Sequence, residues 1–221
     1  MEKTKTKSDK KGDIRHKLKE AYIKYVLSED TLPKSIYAFA EKVGVSEADF
    51  YGNFSTLNSL ERAIWADWFA EVRTALSADD NFSSFTFREK ILSVYYTWFE
   101  KLLQNRSFAL YQFEHAKREL DPSFLKKLKD VFQEYMNELV NGAIDSGEIK
   151  RNKLSEQYAS AFWVQFLFVS KFWLNDESED FQKTDAAIEK SVNLAFDFIG
   201  TGPLDRLVDF AKFLYQNQKP F

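Results

Sequence analysis

The sequence predicts an all-α protein. Apolar residues recur at three- and four-residue spacing along most of its length, and glycine and proline are scarce. Seven glycines and four prolines in 221 residues are few for a sheet protein with many tight turns, and a hydrophobic content of 44% is ample for a core.

Cysteine is absent, which removes disulfides, thiol nucleophiles and cysteine-based zinc sites. There is no nucleophile with a paired base, no glycine-rich phosphate loop and no cluster of metal ligands. The chain is therefore expected not to be an enzyme, with no catalytic residues, no metal and no cofactor. The lysine-rich start, Met1 to Gly12, has no apolar stretch behind it and fails as a secretory signal, so a cytoplasmic location is expected. The most apolar segment, Tyr158 to Val169, is interrupted by Ser160 and Gln165 and closed by Lys171, which reads as buried protein and not membrane. A net charge of -3 gives no global attraction to nucleic acid, so any DNA-binding surface must be local.

Residues 1–12 have nothing apolar to bury and are expected to form a disordered basic tail, either a solubilising segment or an arm that follows DNA. From Asp13 to about Leu27, Ile14, Leu18, Ala21, Tyr22 and Tyr25 mark a helix with one buried stripe. After Pro33, short helices are expected over Ser35–Lys42 and from Ser46 to about Gly52, then a longer one from Thr56 to Leu76 carrying Leu60, Ile64, Trp65 and Trp68. Phe87–Leu103 matches the helical template at nearly every position. A helix over Phe108–Arg118 should stop before Asp121-Pro122, where Asp121 caps the next helix and Pro122 takes its first position. That helix, with Leu125, Leu128, Phe132, Tyr135 and Leu139 in phase, should end near Gly147. Helices over Ser155–Leu174, Thr184–Ile199 and, after the Gly200 to Pro203 break, Leu204–Tyr215 complete the chain.

The informative stretch is Ser35 to Leu60. Two short helices that cross steeply need a small residue at the contact, here Ala40, a glycine free to take positive φ, here Gly44, and an apolar plug, here Val45. Ser46 is the N-cap of the second helix, and Asp49 completes a Ser-x-x-Asp capping box at the end that would enter a major groove. Phe50 and Phe54 face inward, whereas Tyr51, Gly52 and Asn53 stay near the outer side, where phenol and amide can hydrogen-bond phosphates.

Phe39-Ala40, Val43-Gly44-Val45-Ser46, the Phe50-Tyr51-x-x-Phe54 run and Leu60 together resemble the TetR family of bacterial repressors. The resemblance implies a three-helix helix-turn-helix domain over 13–55 and a larger helical ligand-binding and dimerisation domain over 56–221. The DNA-facing residues it implies are Lys34, Ser35, Ser46, Glu47, Ala48, Asp49, Tyr51, Gly52 and Asn53. Three positions depart from the family. Glu47 replaces a frequent basic residue, Asp49 a frequent threonine, and Leu57 a phosphate-contacting lysine. The carboxylates fit two accounts, favourable capping and dipole contacts in a first helical turn, or acceptance from cytosine N4 in a major groove.

Aromatic residues make up 17% of the chain. The resemblance places Trp98, Leu102, Tyr111, Phe113, His115, Phe132, Tyr135, Phe162 and Phe166 on helices around a central cavity suited to an apolar or aromatic ligand. The helix Ser155–Leu174 has one apolar face at Tyr158, Phe162, Phe166, Val169 and Trp173 and another at Trp163, Leu167 and Leu174. Two such faces need two covers. The second cover expected is another subunit, with Ala187, Ser191, Leu194, Ala195 and Phe198 of the following helix completing a four-helix homodimer interface. The function expected is a ligand-responsive repressor of a palindromic double-stranded operator. The alternative is a carrier of lipid or isoprenoid on the same fold that has lost DNA binding.

Overall fold

The computed structural model describes the backbone of residues 2–116 and 122–201, and the side chains of 12–116 and 122–199. Among the described residues there are nine α-helices and no strand: α1 (Glu2–Glu29), α2 (Ile36–Val43), α3 (Glu47–Tyr51), α4 (Leu57–Ser77), α5 (Phe87–Leu103), α6 (Arg106–His115), α7 (Lys126–Asp145), α8 (Tyr158–Leu174) and α9 (Gln182–Thr201). The helix expected over Leu204–Tyr215 and the cap expected at Asp121 lie outside the described residues.

Several boundaries differ from the sequence expectation. Helix α1 runs back to Glu2 through the residues expected as a tail. Once a helix is nucleated each further turn adds hydrogen bonds cheaply, and Lys and Glu are good helix formers. Pro122 does not open α7: its backbone is extended (φ −62, ψ 142) and leads into a 3₁₀ turn over Ser123–Leu125 that buries both Phe124 and Leu125. Helix α6 is displaced towards the N-terminus of the expected Phe108–Arg118.

Backbone proximity groups the chain into two compact units, Met1–Thr74 with Trp98–Phe132, and Ala75–Thr97 with Gln133–Phe221. Most of α4 falls in the first unit, where its side chains bond to α1.

In the first unit, Leu18, Tyr22 and Val26 form the single buried stripe of α1. Phe39 of α2 takes Tyr22, Tyr25 and Phe50 edge-on, at ring-centroid distances of 5.9, 6.2 and 6.2 Å. Two polar side chains of α4 tie it to its neighbours. Asp67 accepts from Lys19 (2.8 Å) and Arg15 (3.3 Å), and the Arg15 guanidinium also lies 4.6 Å over the Phe54 ring. Glu61 accepts from the Tyr22 hydroxyl and from Gln112 Nε2 of α6 (3.1 Å). Burial first, then the charge and hydrogen bond of Glu61, push the Tyr22 hydroxyl far above the ordinary phenol range, which keeps it a neutral donor.

In the second unit, α5 opens with a reciprocal Thr86–Glu89 capping box, and the Phe87 amide donates to Glu148 (2.6 Å) just past Gly147, whose φ of 80 turns the chain out of α7. Phe87 packs on Phe162 and Phe196, Tyr95 packs on Phe166, and the Tyr95 hydroxyl donates to Gln165 (2.9 Å).

The α8–α9 corner is fastened by one carboxylate. Asp176 accepts from the backbone and hydroxyl of Ser178 (2.9 and 2.6 Å) and of Thr184 (2.8 and 2.6 Å). Between them Asp180 and Phe181 adopt left-handed φ values of 48 and 57, a strain that persists only where the surroundings enforce it. Burial by itself would raise the Asp176 carboxyl, but these hydrogen bonds outweigh it and hold the group well below the usual carboxylate range.

Asp176→Ala leaves buried donors without an acceptor and is expected to cost on the order of 2 kcal/mol in urea unfolding at neutral pH. Because the folded-state pKa is depressed, this contribution is complete above the unfolded value of about 4 and shrinks as pH falls below it. A gap between variant and parent that stays constant down to pH ~3 would show that the carboxylate is not the fastener.

Candidate nucleic-acid interface and ligand site

The segment from Ser35 to Phe54 folds as two short helices joined by a sharp turn. Ser35 Oγ accepts from the Ala38 amide (3.1 Å) to start α2. Gly44, in the left-handed region at φ 71, ends it, with Val45 N closing on Ala40 O at 3.0 Å. Ser46 then caps α3: its Oγ accepts from Asp49 N (3.0 Å), while Asp49 Oδ2 accepts from Ser46 N (3.1 Å). The side-chain bond from Ser46, and then its backbone bond, lower the Asp49 carboxyl below its ordinary value.

Of the expected DNA-facing residues, Lys34, Ser35, Ser46, Glu47, Ala48, Asp49, Tyr51 and Gly52 are exposed, and Tyr51 keeps 55% of its surface. Their roles divide. Ser35, Ser46 and Asp49 hold the two helix starts, whereas Glu47, Ala48 and Tyr51 make none of those capping bonds. Asn53 departs from expectation: it is half-buried and its amide donates to Asp49 O (2.8 Å), so that donor closes the end of α3. The sequence reading also missed the reciprocal Thr56–Ser59 pair that caps α4, whose backbone and hydroxyl contacts are both 3.0 Å. The Thr-x-x-Ser spacing was its signal.

The expected ligand residues separate. In the first unit Trp98, Leu102, Tyr111 and Phe132 are buried and Phe113 is half-buried. Trp65 and Phe69 of α4 join three of them: Trp65 lies 6.3 Å from Trp98 and 5.9 Å from Phe113, and Phe69 lies 5.9 Å from Trp98 and 5.5 Å from Phe132. Tyr111 instead stacks on His115 at 4.0 Å. His115 is exposed, with Nδ1 2.7 Å from the Tyr111 carbonyl of its own helix, so it does not enter the buried cluster. In the second unit Tyr135, Phe162 and Phe166 are buried.

The outward face of α8 is not the expected one. Trp163 and Leu167 are only 2% and 3% exposed and belong to the chain's own interior, and Leu174 is half-buried. One position further on, about 100° around the helix, Val164 and Phe168 are 60% and 65% exposed, and Phe172 is exposed too. On α9, Leu194 and Phe198 are exposed and Ala187, Ser191 and Ala195 half-buried. Between the two helices lies an apolar groove of about 500 Å³ lined by Ala161, Val164, Phe168, Leu194, Ala195 and Phe198, among others.

A family profile described as "Tetracyclin repressor-like, C-terminal domain" matches residues 90–214. A structure from Syntrophomonas wolfei, classed with TetR-family transcriptional regulators, superposes with a TM-score of 0.64 at 15% identity, covering 83% of this chain and 95% of its own. One so classed from Rhodococcus gives 0.61 at 17%, covering 85% and 98%. The fatty acid degradation regulator FadR of Bacillus halodurans gives 0.55 at 13%, covering 82% and 93%. At these identities the likeness is one of fold. No curated protein sequence matches the chain. Among the described residues no helix is long and apolar enough to cross a membrane.

Ser46→Ala removes the acceptor for the Asp49 amide and is expected to cost about 1 kcal/mol, and Gly44→Ala about 1–2 kcal/mol because a Cβ disfavours the left-handed region. Urea denaturation checks both, and wild-type stability in either variant would mean that the turn is held by other contacts.

Proposed function

The chain belongs to the TetR family of transcriptional regulators, and we propose that within it this member is a homodimeric, cytoplasmic repressor released from a palindromic operator by an apolar or aromatic small molecule. The observation that carries this reading is the start of α3. Two short helices are locked around Gly44, and the capped end of the second presents Glu47, Ala48 and Tyr51 to solvent. Phosphate and base edges of a major groove are the partners suited to such an end.

The exposed apolar face of α8 and α9 supports the same reading. Val164, Phe168, Leu194 and Phe198 form a contiguous apolar surface, and a twofold packing of two helix pairs covers it. Paired recognition helices then meet successive grooves about 34 Å apart. Ligand release requires an effector with higher affinity for a conformer in which α4 has shifted, so that the two recognition helices lose their common register. Tyr22, Glu61 and Asp67 supply the mechanical link, because they join α4 to α1.

The test is a mobility shift on DNA upstream of the protein's own gene at about 50 and 200 mM salt. A retarded complex that weakens steeply with salt is expected. Glu47→Gln removes a negative charge from the groove-facing turn and is expected to tighten non-specific binding severalfold. Absence of retardation at low salt would reject operator binding and leave the lipid or isoprenoid carrier as the reading. Separately, Phe168→Glu with Leu194→Glu is expected to yield monomers in sedimentation. A dimer that survives both changes would place the subunit contact elsewhere.

A further inference from the structure

We infer that the indole N–H of Trp65 is the polar anchor of the effector, and that the effector is a largely apolar, uncharged molecule with one acceptor oxygen, of the ketone, ester or lactone class. This rests on the ligand-responsive reading above and specifies the chemistry it requires.

Trp65 is 1% exposed, and its Nε1 is buried with no hydrogen-bond partner within the chain. Buried donors are nearly always matched, so an unmatched one in an otherwise well-paired helix is a position for a group that the polypeptide does not supply. The surroundings explain the lack of a partner. Phe124, Trp68, Phe113, Trp98 and Phe108 lie around Trp65 with ring centroids at 5.1, 5.3, 5.9, 6.3 and 6.5 Å, and none of these side chains offers an oxygen. Trp98 Nε1 is buried and unmatched as well, so the apolar wall holds two indole donors, of which Trp65 is the one on α4; an apolar wall with few polar groups is the pattern of a small-molecule site. Phe113, edge-on to both Trp65 and Phe124, is half-buried and so the least enclosed ring of the cluster.

The neighbouring charge selects against an anion. Glu61, half-buried, stands one helical turn before Trp65 on α4, and its carboxylate disfavours a second negative group beside it. The same turn carries the bonds from Glu61 to Tyr22 and Gln112, so an oxygen engaged by Trp65 acts on the segment of α4 that holds α1 and α6.

The probes are matched in shape: acetylnaphthalene and ethylnaphthalene, and a long-chain methyl ketone with its parent alkane. They are titrated into the full-length protein labelled with ¹⁵N at its five indoles. The ketones are expected to bind roughly tenfold more tightly than the hydrocarbons and to move the Trp65 Nε1–H resonance downfield. Trp65→Phe should bind ketone and hydrocarbon alike. Equal affinity for both members of each pair, or a Trp65 resonance that does not move when ketone binds, overturns the anchor while leaving the ligand-responsive reading in place. Tighter binding of naphthoate than of acetylnaphthalene overturns the choice of an uncharged ligand. If no probe binds and none alters DNA retention, both readings fall. Should Trp65→Phe not fold, the resonance shift in the parent protein decides alone.

Discussion

Helix α4 is apolar around most of its circumference, and this condition governs the first compact unit. Leu60, Ala63, Ile64, Trp65, Ala66, Trp68 and Phe69 are all buried. Two half-buried carboxylates that share the helix, Glu61 and Asp67, then have to find donors on other helices, since an unpaired charge in such surroundings is costly. They find Tyr22 and Gln112, and Lys19 and Arg15. Directional bonds therefore fix the orientation of α1 against α4, a selection that aromatic packing by itself leaves loose. The helix-turn-helix inherits its placement from them through Phe39, which takes up Tyr22 and Phe50 together.

Much of this architecture is legible in the sequence because it is set locally. The Ser46–Asp49 box, the left-handed Gly44 and the span of α5 depend on residues within a few positions of one another, and periodicity and capping rules reach that far. The face that α8 turns outward is a different matter. Its apolar residues go nearly all the way round, and periodicity cannot distinguish the row through Trp163 and Leu167 from the adjacent row through Val164 and Phe168. Only tertiary packing decides, and it draws the tryptophan inside. The polar node at Glu61 was hidden for a related reason: its partners stand 39 and 51 positions away in the chain. Pro122 shows the limit of a single-residue rule, because the demand to bury both Phe124 and Leu125 outweighs proline's preference for a first helical position.

The second unit reaches rigidity by another route. One carboxylate, Asp176, gathers the polypeptide between α8 and α9 and stabilises a corner that contains two non-glycine residues in left-handed backbone. The Arg88–Asn193 contacts at 2.9 and 2.6 Å and the pairing of Tyr96 with Glu189 tie α9 to α5. The apolar groove thus lies between two helices that the Asp176 corner joins, one of which is also bonded to α5.

The work on α3 is partitioned between neighbouring side chains. Ser46 and Asp49 are occupied in capping the start of the helix, and Phe50 in anchoring it, while positions 47, 48 and 51 face solvent. Residues in that second set can be exchanged over evolutionary time without loosening the scaffold. Drift there changes what the surface contacts and leaves the fold untouched, so descendants of this chain are free to diverge in partner preference while remaining recognisable by their caps and their core.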